Sequence, residues 1–183
     1  MAPAGDLTSL KAALDAGADA VYFGITSMNM RASAKNFTAA QMPEIAQICH
    51  ERKAKAYLAL NTIVFDNECE QGRELVKQAA QAGIDAVICW DFAILQAALE
   101  FNIEPFISTQ MSVANSTSIA FLYRNFGIKR FVLARECTLE ELHNIRTNLI
   151  KEFGEKAKQI EIEIFAHGAM CVSVSGRCFM SQF

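Results

Sequence analysis

Short apolar runs rich in β-branched and aromatic residues recur along the chain, and most are separated by a stretch with helical spacing. The runs are Ala20-Val21-Tyr22-Phe23, Ala56-Tyr57-Leu58-Ala59-Leu60, Ala86-Val87-Ile88-Cys89, Pro105-Phe106-Ile107-Ser108, Phe131-Val132-Leu133-Ala134 and the alternating Ile160, Ile162, Ile164 with Phe165. Most are continuously apolar, which suits strands of a parallel sheet covered on both faces. The intervening helices have legible ends. Asp6 can cap a helix carrying Leu7, Leu10 and Leu14, with Gly17 just past its end. Thr38 with Gln41, and Thr138 with Glu141, are capping-box patterns ahead of apolar residues at helical spacing. Pro43 sits awkwardly for the first of these, so regular helix is expected to begin a residue or two later.

This alternation allows a doubly wound open sheet or a (β/α)8 barrel. No Gly-x-Gly-x-x-Gly follows any strand, so the dinucleotide-binding fold lacks its fingerprint. The six runs and a stub at Met1-Ala2-Pro3-Ala4 stop one strand short of closure. Polar residues gather where the runs end: Asn29 and Arg31, Asn61 and Thr62, Asp91, Thr109 and Gln110, Arg135 and Glu136, His167. Those are the ends at which parallel α/β folds carry their sites. The expected fold class is therefore α/β, an incomplete TIM-like (β/α)8 barrel without its final strand and C-terminal region. Residues 1–183 would form a single N-terminal part of a barrel catalytic domain. Phe183 follows no helix stop, and the open sheet edges of such a piece predict self-association.

Composition narrows the function classes. Of 183 residues 52% are apolar and 20% charged, enough core to exclude disorder as the main state. A net charge of -3 excludes a broadly basic nucleic-acid coat but not a local basic strip. No apolar run approaches the roughly 20 residues that span a bilayer, and the first residues lack the basic cluster of a secretory signal. A cytoplasmic protein with no membrane partner is expected. Its six cysteines then read as reduced thiols, either small core residues or metal and redox ligands.

The strongest motif lies after the last run. Cys171 and Cys178 flank a loop holding Gly176, a placement that suits soft thiolate ligation of iron–sulfur or zinc, although the spacing alone is weak evidence against core packing. His167 precedes them and could pair with Cys171 as a nucleophile or give a proton; the plain alternative is a strand-end histidine. Arg31, Arg135 and Arg177 follow separate strands and could converge on a dicarboxylate or phosphate, or make ordinary salt bridges. Asn61, Asp91 and Gln110 occupy further strand ends, where they line a pocket or satisfy loop backbone. Trp90 could stack on a base or simply sit at the rim, and Cys137 reads first as helix-start packing.

The segment Glu163-x-Phe165-x-x-Gly168-Ala169-Met170-Cys171-x-x-x-x-Gly176-x-Cys178-x-Met180-Ser181 resembles the signature of the peptidase U32 family, the collagenase-like peptidases. Ala2-Pro3-Ala4-Gly5, Gly17-Ala18-Asp19-Ala20-Val21-Tyr22-Phe23-Gly24, Ser108-Thr109-Gln110-Met111 and Val132-Leu133-Ala134-Arg135-Glu136 extend the similarity across the chain. The resemblance implies a TIM-like catalytic region. It implies, for relatives of the family, either peptidase activity or iron–sulfur-dependent hydroxylation of pyrimidines in tRNA or rRNA with prephenate as co-substrate. Other members assist ubiquinone hydroxylation, so a small-molecule substrate stays open. By position Cys171 and Cys178 match two of the cysteines that hold a four-iron four-sulfur cluster. Two thiols do not complete such a cluster, so this piece is expected to lack it or bind it poorly; an inactive fragment or binding scaffold is the alternative reading.

Overall fold

The structure, a computed structural model, describes residues 1–29, 36–168 and 173–176. Contacts group them into two compact units, Met1–Pro105 and Phe106–Cys178.

In the first unit, strands β1 (Ala2–Ala4), β2 (Ala20–Gly24), β3 (Lys55–Ala59) and β4 (Ala86–Cys89) pair in chain order, all parallel, with Val21 opposite Ala56 and Leu58 opposite Val87. Helices α1 (Leu7–Asp15), α2 (Met42–Glu51), α3 (Cys69–Gln81) and α4 (Phe92–Glu100) alternate with them. Leu10, Val21, Phe23, Ile45, Leu58, Val76, Val87 and Ile94 are buried, each contributing roughly 1.5–3 kcal/mol as apolar surface leaves water. Asp6 caps α1 as the sequence predicts, accepting from the Ser9 amide at 2.8 Å. Ahead of α2 the chain makes a 3-10 turn (Ala39–Gln41), and the Thr38 amide donates to Gln41 Oε1 at 2.9 Å. Pro43 thus falls in the first turn of regular helix, where its missing N–H costs nothing. Cys49 and Cys89 are fully buried, and burial pushes their thiols up to about 11 and about 12.

The N-terminal strand ends of this unit are tied by Asp85. Its carboxylate accepts from Lys55 Nζ at 2.6 Å and the Ala56 amide at 2.9 Å, and meets His50 Nε2 at 2.8 Å. Burial pushes Asp85 up, but these bonds outweigh it and hold the carboxyl below its ordinary range. Such a network at the strand starts serves stability, since α/β sites lie at the opposite ends.

In the second unit β5 (Glu104–Ile107), β6 (Arg130–Val132) and β7 (Glu161–Glu163) are likewise parallel and in chain order, with Ile107 opposite Phe131 and Val132 opposite Glu163. Helix α5 (Ser116–Phe126) joins the first two, and α6 (Leu139–Phe153) with a 3-10 turn (Gly154–Gln159) joins the last two. Ile107, Ile119, Phe131, Ile145, Leu149 and Ile160 form the core. Arg130 opens β6 with its guanidinium 4.5 Å from the Phe106 ring centroid and pairs with Glu161 across the ladder. The strands end earlier than the apolar runs do. Ser108 leaves β5 to cap the 3-10 turn Thr109–Met111, and the Ala134 amide turns away to the Val113 carbonyl at 2.8 Å. Seven parallel strands alternating with helices among the described residues give the α/β class predicted, an incomplete TIM-like fold.

Candidate functional site

In the first unit, three strands release polar residues at their C-terminal ends. After β2, Asn29 is buried and its Nδ2 donates to Asn36 Oδ1 at 2.7 Å. After β3, the Asn61 carbonyl accepts from Trp90 Nε1 at 2.9 Å, which fixes the indole just past β4. Asp91 then caps α4: Oδ1 accepts from the Ala93 amide at 2.9 Å while Oδ2 accepts from the Val64 amide at 3.2 Å. Asp91 thereby ties the loop after β3 to the start of α4. Both of its oxygens serve backbone amides.

The second unit holds a denser cluster at the ends of β5 and β6, built around Ser175. This serine is 1% exposed. Its amide donates to Glu136 Oε1 at 2.8 Å, and its carbonyl accepts from Ser112 Oγ at 2.5 Å. Its hydroxyl oxygen accepts from the Arg135 amide at 3.1 Å and from Arg135 Nε at 3.3 Å. Arg135 Nη2 also donates to the Ser173 carbonyl at 2.9 Å, and Thr109 Oγ1 to the Leu133 carbonyl at 3.1 Å. The Ser175 amide bond holds the Glu136 carboxyl below its ordinary range, more than its small burial raises it. Gly176 completes the seat. Its φ is +72°, and a β-carbon there would stand 2.3 Å from the Gln110 carbonyl oxygen and 2.5 Å from Ser112 Oγ. Only glycine lets the backbone lie so close.

Of the residues singled out from the sequence, Arg135 and Gln110 are thus brought to one segment, Ser173–Gly176. Arg135 reaches it through its side chain and Gln110 through its backbone. Asn61 and Asp91 stand at neighbouring strand ends of the first unit. His167 lies exposed in the loop after β7 and forms no hydrogen bond among the described residues. Arg31, Cys171, Arg177 and Cys178 lie outside the described residues. Sequence reasoning missed Ser175 and Ser112 as anchors. The first sits inside the resemblance motif, and the second gives no signal except in the structure, where its left-handed φ of +56° turns its hydroxyl toward Ser175.

What the arrangement does is clear. Two consecutive residues at the end of β6 hold the chain between Cys171 and Cys178 by one guanidinium and one carboxylate. Ser112, just past the 3-10 turn that follows β5, and a close glycine contact hold the same turn from the other side. Charge-assisted bonds of this kind are the stronger ones, so the turn is fixed rather than draped.

The chain is 43% identical over its whole length to an uncharacterized protease of Methanocaldococcus jannaschii, covering 44% of that protein. It is 40% identical over 99% of its length to a collagenase of Porphyromonas gingivalis, again covering 44% of the relative. It is 35% identical over its whole length to tRNA hydroxylation protein P1 of Bacillus subtilis, covering 41%. The chain therefore spans less than half the length of these relatives. A solved U32 peptidase superposes with a TM-score of 0.66 over 89% of this chain and 65% of that one, at 12% identity, which supports the fold. The model of peptidase family U32 matches residues 5–183, so the chain belongs to that family.

Proposed function

We propose that the protein to which this chain contributes is an iron–sulfur-dependent hydroxylase of RNA pyrimidines, with prephenate as co-substrate. The observation that carries the reading is the anchored turn Ser173–Gly176 between Cys171 and Cys178. A turn fixed by Arg135, Glu136 and Ser112 suits a metal-binding loop, because ligands tied to rigid elements lose little freedom on binding. The donor chemistry fits: thiolates are the ligands of iron–sulfur clusters. Cys171 and Cys178 would supply two of the donors, and the others would come from outside this chain. The cluster would supply redox chemistry. This chain's own residues would hold the loop, and would present strand-end polar groups to an anionic co-substrate and to a base taken out of its stack. A tRNA hydroxylation protein among the relatives supports the RNA substrate.

Peptidase activity is the second reading, favoured by the names of the relatives at 43% and 40% identity. It would use Cys171 as nucleophile with His167, which stands exposed in the preceding loop.

The full-length protein purified without oxygen decides between them. It is expected to be brown and to hold iron, and Cys171→Ala to lose both colour and iron. Bulk RNA incubated with the protein and prephenate should gain hydroxylated pyrimidine by mass spectrometry. A colourless, iron-free protein that cleaves peptides, and stops doing so in Cys171→Ala, overturns the hydroxylase reading.

A further inference from the structure

Glu163 is the last residue of β7 and sits at the C-terminal end of that strand, the end at which α/β enzymes carry reacting groups. It is opposite Val132 in register, and its carbonyl accepts from the Leu133 amide at 3.0 Å. That places it along the ladder just before Arg135 and Glu136 continue from β6 to the Ser175 seat. Its side chain is half-buried, yet no hydrogen bond or ion pair reaches its carboxylate among the described residues. The neighbouring acid on the strand, Glu161, is matched: it pairs with Arg130. Within this unit, then, two carboxylates lie two residues apart on one face of β7, beside Arg130 of β6. The one at the strand start is used for structure. The one at the site end is left unpaired among the described residues.

Burial raises the Glu163 carboxyl, and Glu161 adds to the rise, while Arg130 pulls the other way without cancelling it. An unpaired, half-desolvated acid costs stability, and carboxyls raised in this way cluster at the reacting ends of enzyme sites. It contrasts with Glu136, whose two roles, accepting from Ser175 and neighbouring Arg135, hold it in the ionised form.

We propose that Glu163 is the acid–base residue of this site, exchanging a proton with an O–H or N–H of the bound substrate. The inference rests on the reading of these strand ends as the reaction site. In the step, the carboxylate takes the proton and becomes the neutral acid, the electron pair stays on the substrate oxygen or nitrogen, and the same proton is returned to the product. No oxidant or reductant enters this exchange.

The test uses the full-length protein as wild type, Glu163→Gln and Glu163→Asp. With bulk tRNA from a strain lacking pyrimidine hydroxylation, plus prephenate, Glu163→Gln is expected to lower kcat by about 100-fold or more with KM within about 3-fold. Glu163→Asp should keep part of kcat and move the acidic limb of its pH profile. An unchanged kcat in Glu163→Gln overturns the proposal. Thermal unfolding followed against pH gives a readout free of substrate. A glutamate raised in the folded state destabilises once ionised, so Glu163→Gln should gain Tm over wild type by a margin that grows as pH rises through the carboxylate range. A margin flat with pH overturns the proposal even if activity falls. A wild type inert on RNA with a growing margin sinks the hydroxylase reading and supports Glu163 as the titrating group.

Discussion

Gly176 shows how much one hydrogen atom in place of a methyl group decides. Its positive φ alone would disfavour alanine, but the Gln110 carbonyl 2.3 Å from the would-be β-carbon makes the substitution a collision with backbone. Gly17, with φ +85° and nothing within 4 Å of its would-be β-carbon, separates the two effects. Gly17→Ala is expected to cost about 1 kcal/mol for the dihedral. Gly176→Ala should cost more, and should also expose the 173–176 amides to faster hydrogen exchange. Equal Tm losses in the two variants would show that the close approach is not there. The glycine itself was readable in the sequence as part of a motif. The reason for it was not, since Gln110 and Ser112 stand 66 and 64 positions earlier and nothing local links them.

Elements began where the side chains said they would and ended where the backbone found other partners. Asp6 and Thr138 cap α1 and α6 as their spacing predicts, because a cap is a local bond between residues three apart. Strand ends were less legible: Ser108, Ala134 and Phe165 are all in apolar runs, yet the ladders stop at Ile107, Val132 and Glu163. At the first two ends the Ser108 hydroxyl and the Val113 carbonyl capture the Gln110 and Ala134 amides, a competition that hydropathy does not record. Asp91 belongs to this scale. Read from the sequence as lining a pocket or satisfying loop backbone, it does the second, joining a helix start to a neighbouring loop. Asp91→Ala is expected to lower stability by about 1–2 kcal/mol, the usual worth of an N-cap with a second amide left unpaired, measured by denaturant unfolding. Asp91→Asn should recover most of it, because an amide oxygen can still accept from Ala93. Full loss in the asparagine variant would point to a role for the charge.

At the scale of the whole molecule, the two ends of the strands divide the labour. The strand starts carry Lys55, His50 and Asp85 in a satisfied network, while the strand ends carry Trp90, Arg135, Glu136, Glu163 and Ser175. Fold class was legible because it follows from the order of elements. The anchoring of the cysteine segment was not, because it depends on which distant side chains meet. Ile164 and Phe165 after β7 and Val174 beside Ser175 are exposed at 50%, 54% and 59%, apolar side chains left uncovered among the described residues. The 183-residue chain expressed alone is expected to self-associate through such surface. Sedimentation should show species heavier than a monomer, with Phe165→Ser and Val174→Ser shifting the balance back. A monodisperse monomer at high concentration would contradict this.

The depth at which Cys49 and Cys89 lie has a practical consequence. With thiols pushed up to about 11 and about 12, only on the order of one in a thousand of the former, and fewer of the latter, are ionised at pH 8. Alkylating agents attack the anion, so these two sulfurs stay silent in the native chain and speak only after unfolding. Any thiol that takes up label from the folded protein is therefore one of the remaining cysteines, and counting adducts by mass becomes a clean way to ask how many of them a bound metal protects.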